Sequence, residues 1–489
     1  MKRPILRATL AVAVGVVLCA APERARASGF HIDEQDARAT GRAGAVTANP
    51  ENASAIYYNP AGIATLRGVQ IQLGASLIVP SAEFTPARGG AATAAKDETF
   101  VLPQAYVTGR VSDLLALGLG FNSPFGLALD WPATSPGRAS VRQAELRTFF
   151  ITPAFGLELS EWVPGLSFGA GLDLVPASVR LTRDVPFGID VGSVALSGTA
   201  FGVGGRAGIL YRPPALEKWS FGLNYRSPVA LDFEGDADFD AAAPYRASLP
   251  PDGPVATSVT LPQMLVLGVM FEPIRAWEVE VDGTWRGWSS YDRLDIELPG
   301  GQVTSSRKDW EDSFTVRVGT QYSFAERWAA RLGFIWDQTP IPASTLDFQL
   351  PDADRIDVSA GIGASISKNL RVDLGALYVL PQERSTSNAD PAEPPVKGRF
   401  AIDAWVFGLS VGIQFDTAEP DTYAYPTAAA PGGSAPLTSL DPAGPTRASP
   451  PWSAQPALAP RPQPEPREAG CRRGPRARAL THALPSCRE

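Results

Sequence analysis

The sequence predicts an all-β protein, a transmembrane antiparallel β-barrel of about 14 strands with an N-terminal hatch, or plug. Three observations predict it. Bulky apolar residues recur with a period of two, short and long connections alternate between those runs, and an export signal opens a chain with no second long apolar segment.

Residues 1–27 read as a secretory signal peptide. An apolar run from about Ala8 to Ala21 follows Lys2, Arg3 and Arg7 and precedes Ala25-Arg26-Ala27, the small-x-small pattern of a cleavage site. The run is too short for a helical bilayer span, which needs roughly 20 apolar residues. Val16, Val17 and Leu18 lack the small residue that lipoprotein processing favours before Cys19, so the mature chain is expected to start at Ser28. A mean hydropathy of -0.04 excludes a helical membrane bundle. No cysteine falls between Ser28 and Asp416, so the exported domain must be held by hydrogen bonding and burial rather than by disulfides. The formal net charge of -8 argues against a nucleic-acid partner.

The wall is read from alternation. Trp405, Phe407, Leu409, Val411, Ile413 and Phe415 alternate with Val406, Gly408, Ser410, Gly412 and Gln414. Ile356, Val358, Ala360, Ile362, Ala364 and Ile366 do the same around Asp357, Ser359, Gly361, Gly363 and Ser365. One face takes bulk; the other takes glycine, polar groups and charge. A soluble sandwich also alternates, so connection lengths decide. Strands are expected near 68–80, 99–110, 114–122, 145–159, 165–181, 195–212, 217–234, 255–271, 275–290, 310–323, 326–337, 355–366, 369–380 and 402–415. Short links such as "RVSD", "EPIRA", "SFAER" and "SKN" alternate with long ones rich in Pro, Gly and Asp. Tight periplasmic turns and free outer loops produce that rhythm in an up-and-down barrel over residues 67–415. Trp162, Trp219, Trp277 and Trp328 fall in or just after short links, as an aromatic girdle at one membrane face requires.

In hydrocarbon a sheet must close on itself to satisfy its backbone groups. A barrel of this size is too wide for wall side chains to fill. Residues 28–66 precede the first alternating run and are broken by Gly29, Gly41, Gly44, Asn49-Pro50 and Asn59-Pro60-Ala61-Gly62, so they are assigned to a compact plug inside the wall. Tyr57, Tyr58, Ile56 and Ile63 would pack it there, with a rigid turn at Asn59 and Pro60.

The order "SGFHIDEQDARATGRAGA", "SAIYYNPAGIATL", "LGLGFNSPFGL", "WSFGLNYRSPVALDFEG", "LPQMLVLGV", "WDQTPIP" and "LPDADR" resembles the FadL and TodX family of outer-membrane transporters of hydrophobic compounds. The resemblance covers roughly residues 28–415. It implies a 14-stranded barrel with an N-terminal hatch, passive uptake of long-chain fatty acids or aromatic hydrocarbons, and sideways release where the third strand kinks. By position, Asn59, Pro60 and Ala61 match the hatch turn, and Asn122, Ser123, Pro124, Phe125 and Gly126 fall where the kink is implied. The residues themselves support a break there, because Pro124 cannot donate to a neighbouring strand and Gly126 lacks a side chain. A plain strand end reads equally well; Phe125 and Leu127 would line a gap.

A fatty-acid head group could be held by Arg317 and Arg331, which occupy inward positions on adjacent strands. Inward Glu278, Glu280, Asp282, Asp357, Arg371 and Asp373 favour ion pairs as the alternative use of those arginines. Enzyme chemistry is not expected: only His31 and His482 exist, no metal-ligand cluster is visible, and no cofactor is implied. "GVGGRAG" at 202–208 sits in an alternating strand with no helix after it, so lumen-facing glycine explains it better than a nucleotide loop. A general or substrate-selective porin is the alternative function. The expected partners are a hydrophobic small molecule and outer-membrane lipid, with the chain a monomer in the bacterial outer membrane. The Pro- and Ala-rich tail at 416–489, with Cys471 and Cys487, reads either as a disordered periplasmic spacer or as translation beyond the family's usual end.

Overall fold

Fourteen antiparallel strands form a closed wall. The computed structural model describes residues 29–387 and 397–415; the expected signal peptide and tail lie outside the described residues. The strands are β1 (Val69–Pro86), β2 (Phe100–Arg110), β3 (Leu115–Asn122, then Gly126–Asp130), β4 (Gln143–Thr148, then Phe150–Glu158), β5 (Leu166–Phe187), β6 (Asp190–Tyr211) and β7 (Trp219–Arg226, then Val229–Asp240). They continue as β8 (Gly253–Leu261, then Met264–Ile274), β9 (Trp277–Arg286, then Arg293–Leu298), β10 (Gln302–Arg307, then Ser313–Phe324), β11 (Trp328–Asp337), β12 (Arg355–Ser365), β13 (Leu370–Thr386) and β14 (Gly398–Phe415). Each pairs with its chain neighbour, and β1 returns to β14 from Val69↔Phe415 to Pro86↔Gly398. Closure leaves no open edge in the lipid.

The alternation places oil outside. Along β14, Trp405, Phe407, Leu409 and Phe415 are exposed while Val406, Ser410 and Gln414 are buried. The eight charged residues expected on the inner face, from Glu278 to Asp373, are all buried. Trp277 and Trp328 open β9 and β11 and are exposed at the short-turn end, where Trp162 and Trp219 also lie.

Several strands are longer than their hydrophobic period. β5 and β6 have 22 residues each, and the expected runs stop at 181 and start at 195. Their upper outward positions, such as Ser197 and Thr199, are polar and exposed, as are Glu234 and Asp236 on β7. Above the bilayer the outer face meets water, so the backbone ladder continues while the apolar signal ends.

Residues 29–66 form no wall strand. They contain two one-turn helices, α1 (Ala37–Thr40) and α2 (Ala55–Tyr58), and a 3-10 turn at Pro60–Thr65. Helices this short are not stable alone, so wall packing must hold them. The inward glycines are where this segment rests on the wall. A Cβ at Gly361 would lie 2.9 Å from the Gly41 Cα, one at Gly222 would lie 2.2 Å from the Thr47 carbonyl oxygen, and one at Gly169 would lie 2.3 Å from the Pro60 carbonyl carbon. A Cβ at Gly208 of the "GVGGRAG" stretch would likewise lie 2.1 Å from Asn59 Oδ1.

Candidate functional site

The site is built where the leading segment meets the wall. Asn59 is extended (φ -162°), and its Oδ1 accepts from the Ala61 N–H at 3.2 Å, which starts the turn at Pro60. Its Nδ2 donates to the Thr47 carbonyl at 2.8 Å and to the Ile209 carbonyl of β6 at 3.0 Å. One side chain therefore shapes the turn and moors it to the barrel. Ala61 is fully buried beside it.

Opposite, β9 presents Glu278, Glu280 and Asp282 in a row. Asp282 accepts the N–H groups of Val46 and Thr47 at 3.2 and 3.1 Å, and Glu280 accepts that of Ala48 at 2.6 Å. Arg42 donates to Glu278 at 3.1 Å and to Glu280 at 3.3 Å. The carboxylates thus satisfy a stretch of non-helical backbone that has no strand partner.

The two arginines singled out as head-group contacts have different surroundings. Arg317 faces the main cavity and is ion-paired to Asp33 of the leading segment, with a second bond to Thr284 Oγ1 at 2.9 Å. Arg331 lies on the adjacent strand but is paired to Asp373 at 2.8 Å and to Gln321 at 2.7 Å. Burial would raise the Asp33 carboxyl, yet Arg317, then His31 and Arg286, hold it well below the usual carboxylate range.

Residues 123–125 interrupt β3. Below the break, β2 and β3 pair from Arg110↔Ala116 to Ala105↔Phe121; among the described residues, Phe100–Gln104 of β2 have no partner on β3. The leading segment fills the interruption from inside. The Ile32 N–H donates to the Pro124 carbonyl at 2.7 Å, His31 forms an isolated bridge with Phe125, and the Gly126 N–H donates to the Phe30 carbonyl at 3.1 Å. Gln35 exchanges bonds with both backbone groups of Ser123, at 3.2 and 3.1 Å. Phe125 turns into a cluster with Phe30, Phe150 and Trp288, while Leu127 lines the cavity.

That cavity has a volume of about 650 Å³. Its inner wall is Ile335, Asp357, Val379 and Val406 with Arg317, and its floor is Gly29–Glu34. It runs through the gap beside β3 to Val101, which is 61% exposed on the lipid face of β2, and to Phe149. A second cavity of about 90 Å³ adjoins it, sharing Phe30, Leu127, Leu146 and Leu350. The contribution of Phe30–Ile32 was not legible in sequence, because the groups they meet at the opening lie some ninety or more positions away.

His31 makes this contact pH-sensitive. Burial pushes its imidazole down to about 4, against the opposing pull of Asp33, so the seated form is neutral. A depressed histidine stabilises fully above its unfolded value of about 6.5 and loses that contribution as the pH falls towards the folded value. Acidification from neutral pH through that window is expected to speed hydrogen exchange of the Ile32 amide relative to its intrinsic rate. His31→Gln should abolish the acceleration, and equal protection of Ile32 at both ends of the window in the unsubstituted protein would contradict it.

Comparison with known proteins agrees with this architecture. A family profile described as outer membrane protein transport protein (OMPP1/FadL/TodX) matches residues 17–415. The long-chain fatty acid transport protein of Salmonella typhi is 26% identical over 450 residues, covering 84% of this chain and 98% of its own. Outer membrane protein P1 of Haemophilus influenzae is 25% identical over 409 residues, covering 73% and 86%. A Pseudomonas aeruginosa FadL homologue superposes with a TM-score of 0.73 at 18% identity, covering 80% of this chain and all of its own. The toluene transporter TodX of P. putida gives 0.64 at 19% identity, covering 80% and 99%. With the closed barrel, the matched length and the inward segment together, the chain belongs to the OMPP1/FadL/TodX family of outer-membrane transport proteins.

Proposed function

We propose that this barrel carries hydrophobic small molecules passively into the outer membrane, through its cavities and out sideways between β2 and β3. Its relatives' names point to long-chain fatty acids and toluene as solutes of those proteins. The observation that carries the reading is the continuity of one cavity from lumen-facing Val379 and Val406 to lipid-facing Val101. An apolar solute gains about 25 cal/mol per Å² on leaving water, so an apolar cavity draws it in, and lipid at the far end is no worse a solvent. No energy source is required. Residues 29–66 act as the hatch, and a shift of Phe30–Ile32 away from Pro124–Gly126 widens the opening, since their backbone bonds now bridge it. Pro124 supports this use because it has no N–H to donate across that gap.

Mass spectrometry of material retained by the protein purified in mild detergent tests the reading. Apolar solutes of the size of the cavity are expected at near-stoichiometric levels. Recovery of only detergent and bulk lipid, together with a large ion conductance, would favour a porin.

A further inference from the structure

We propose that the main cavity selects an uncharged solute bearing a hydroxyl group, such as an alkylphenol or long-chain alcohol, with Asp357 receiving that hydroxyl. This rests on the transport reading above and names the solute class within it.

The inference comes from a row of cross-strand partners. Arg317 on β10 faces Ile335 on β11, Ile335 faces Asp357 on β12, Asp357 faces Val379 on β13, and Val379 faces Ala404 on β14. Directly paired residues share a face of the sheet, and all five line the cavity. Asp357 is therefore an inward carboxylate between two aliphatic neighbours, neither of which can donate to it. It is 3% exposed, and its Oδ1 has no hydrogen-bond partner. A buried acceptor left in this state is unfavourable, and a donor on the solute would satisfy it.

The remaining charges on the cavity wall exclude a carboxylate as that solute's head. Arg317 is paired to Asp33, Arg355 to Asp337 at 2.8 Å, and Arg147 to Glu145. The lining holds five carboxylates (Asp33, Glu34, Glu145, Asp337, Asp357) against three guanidinium groups. An anionic head would enter an acid-rich enclosure and could not donate to Asp357. Two buried N–H groups on the same wall, Arg317 Nε and Arg355 Nε, also lack acceptors. A hydroxyl both donates and accepts, so it suits both deficits; a hydrocarbon suits neither and a carboxylate only one. A cationic head could donate to Asp357 but has no acceptor to offer Arg317 Nε or Arg355 Nε, so it too suits only one deficit.

The test uses the full-length protein in amphipol at neutral pH, titrated with para-butylphenol, butylbenzene and para-butylbenzoate, which share a skeleton and differ at one group. The phenol is expected to bind about tenfold tighter than either of the others, the effect of one satisfied buried hydrogen bond. Asp357→Leu should bring the phenol-to-butylbenzene ratio towards one, and Asp357→Asn, which keeps an acceptor, should retain most of it. Butylbenzene binding reports that the variants are folded, and the ranking in the unsubstituted protein is decisive without them. Tighter binding of the benzoate, equal binding of phenol and butylbenzene, or an unchanged ratio in Asp357→Leu would each overturn the proposal. Binding of none of the three would overturn the transport reading itself, and this proposal with it.

Discussion

Removing residues 29–66 is expected to turn the protein into a leaking pore. The wall closes without this segment through the β1–β14 ladder, so the barrel should still assemble. What disappears is the packing that occupies the lumen, where a ring of this strand number is too wide for its own side chains. Steady ion conductance in planar bilayers should rise by more than about tenfold, towards that of open barrels. Gly169→Val gives an independent test with the chain complete. Its Cβ alone would lie 2.3 Å from the Pro60 carbonyl carbon, so the Asn59-Pro60-Ala61 turn cannot seat against β5. A smaller rise in the same direction is expected. Unchanged conductance in both variants, with heat-modifiable folded barrel confirmed on gels, would contradict the assignment of residues 29–66 as the closure.

Gly126→Trp is expected to reduce solute uptake to near the background of cells lacking the protein, while Gly126→Ala leaves it nearly intact. A Cβ at Gly126 meets Ile32 Cδ1 at 3.4 Å and the Leu146 carbonyl oxygen at 3.6 Å, both ordinary contacts, so the backbone tolerates a side chain there. An indole from that position extends into the opening beside β3. Inner cavity groups such as Asp357 and Val406 lie elsewhere on the wall, so uptake should fall far more than equilibrium binding. Equal uptake by the Trp variant and the unsubstituted protein would show that solute leaves by another route.

The wall was legible because lipid imposes a rule on every second residue. Trp405, Phe407 and Leu409 announce the strand and its outer face together, and inward Gly361 and Gly408 follow from the same count. The upper halves of β5 and β6 were not legible, since water on their outer face removes the apolar half of the signal. Asn59 was recognisable as a turn former, but not its bond to Ile209, because sequence spacing says nothing of a partner 150 positions away. The same limit hid Asp33, which decides what Arg317 does. Pro124 marked the interruption in β3, whereas the turning of Phe125 into the aromatic cluster depends on Phe30 and Trp288 arriving from distant segments.

The most direct test of the central claim is photolabelling in intact outer membranes with a diazirine-bearing alkylbenzene. Labelling is expected at Val101 and Phe149 on the lipid side of the opening as well as at lumen-facing Val379 and Val406, with the outer-side adducts lost in Gly126→Trp. Adducts on Val379 and Val406 accompanied by labelling at Thr65 and Arg67, and none at Val101 or Phe149, would mean that the solute passes straight through the hatch to the periplasm.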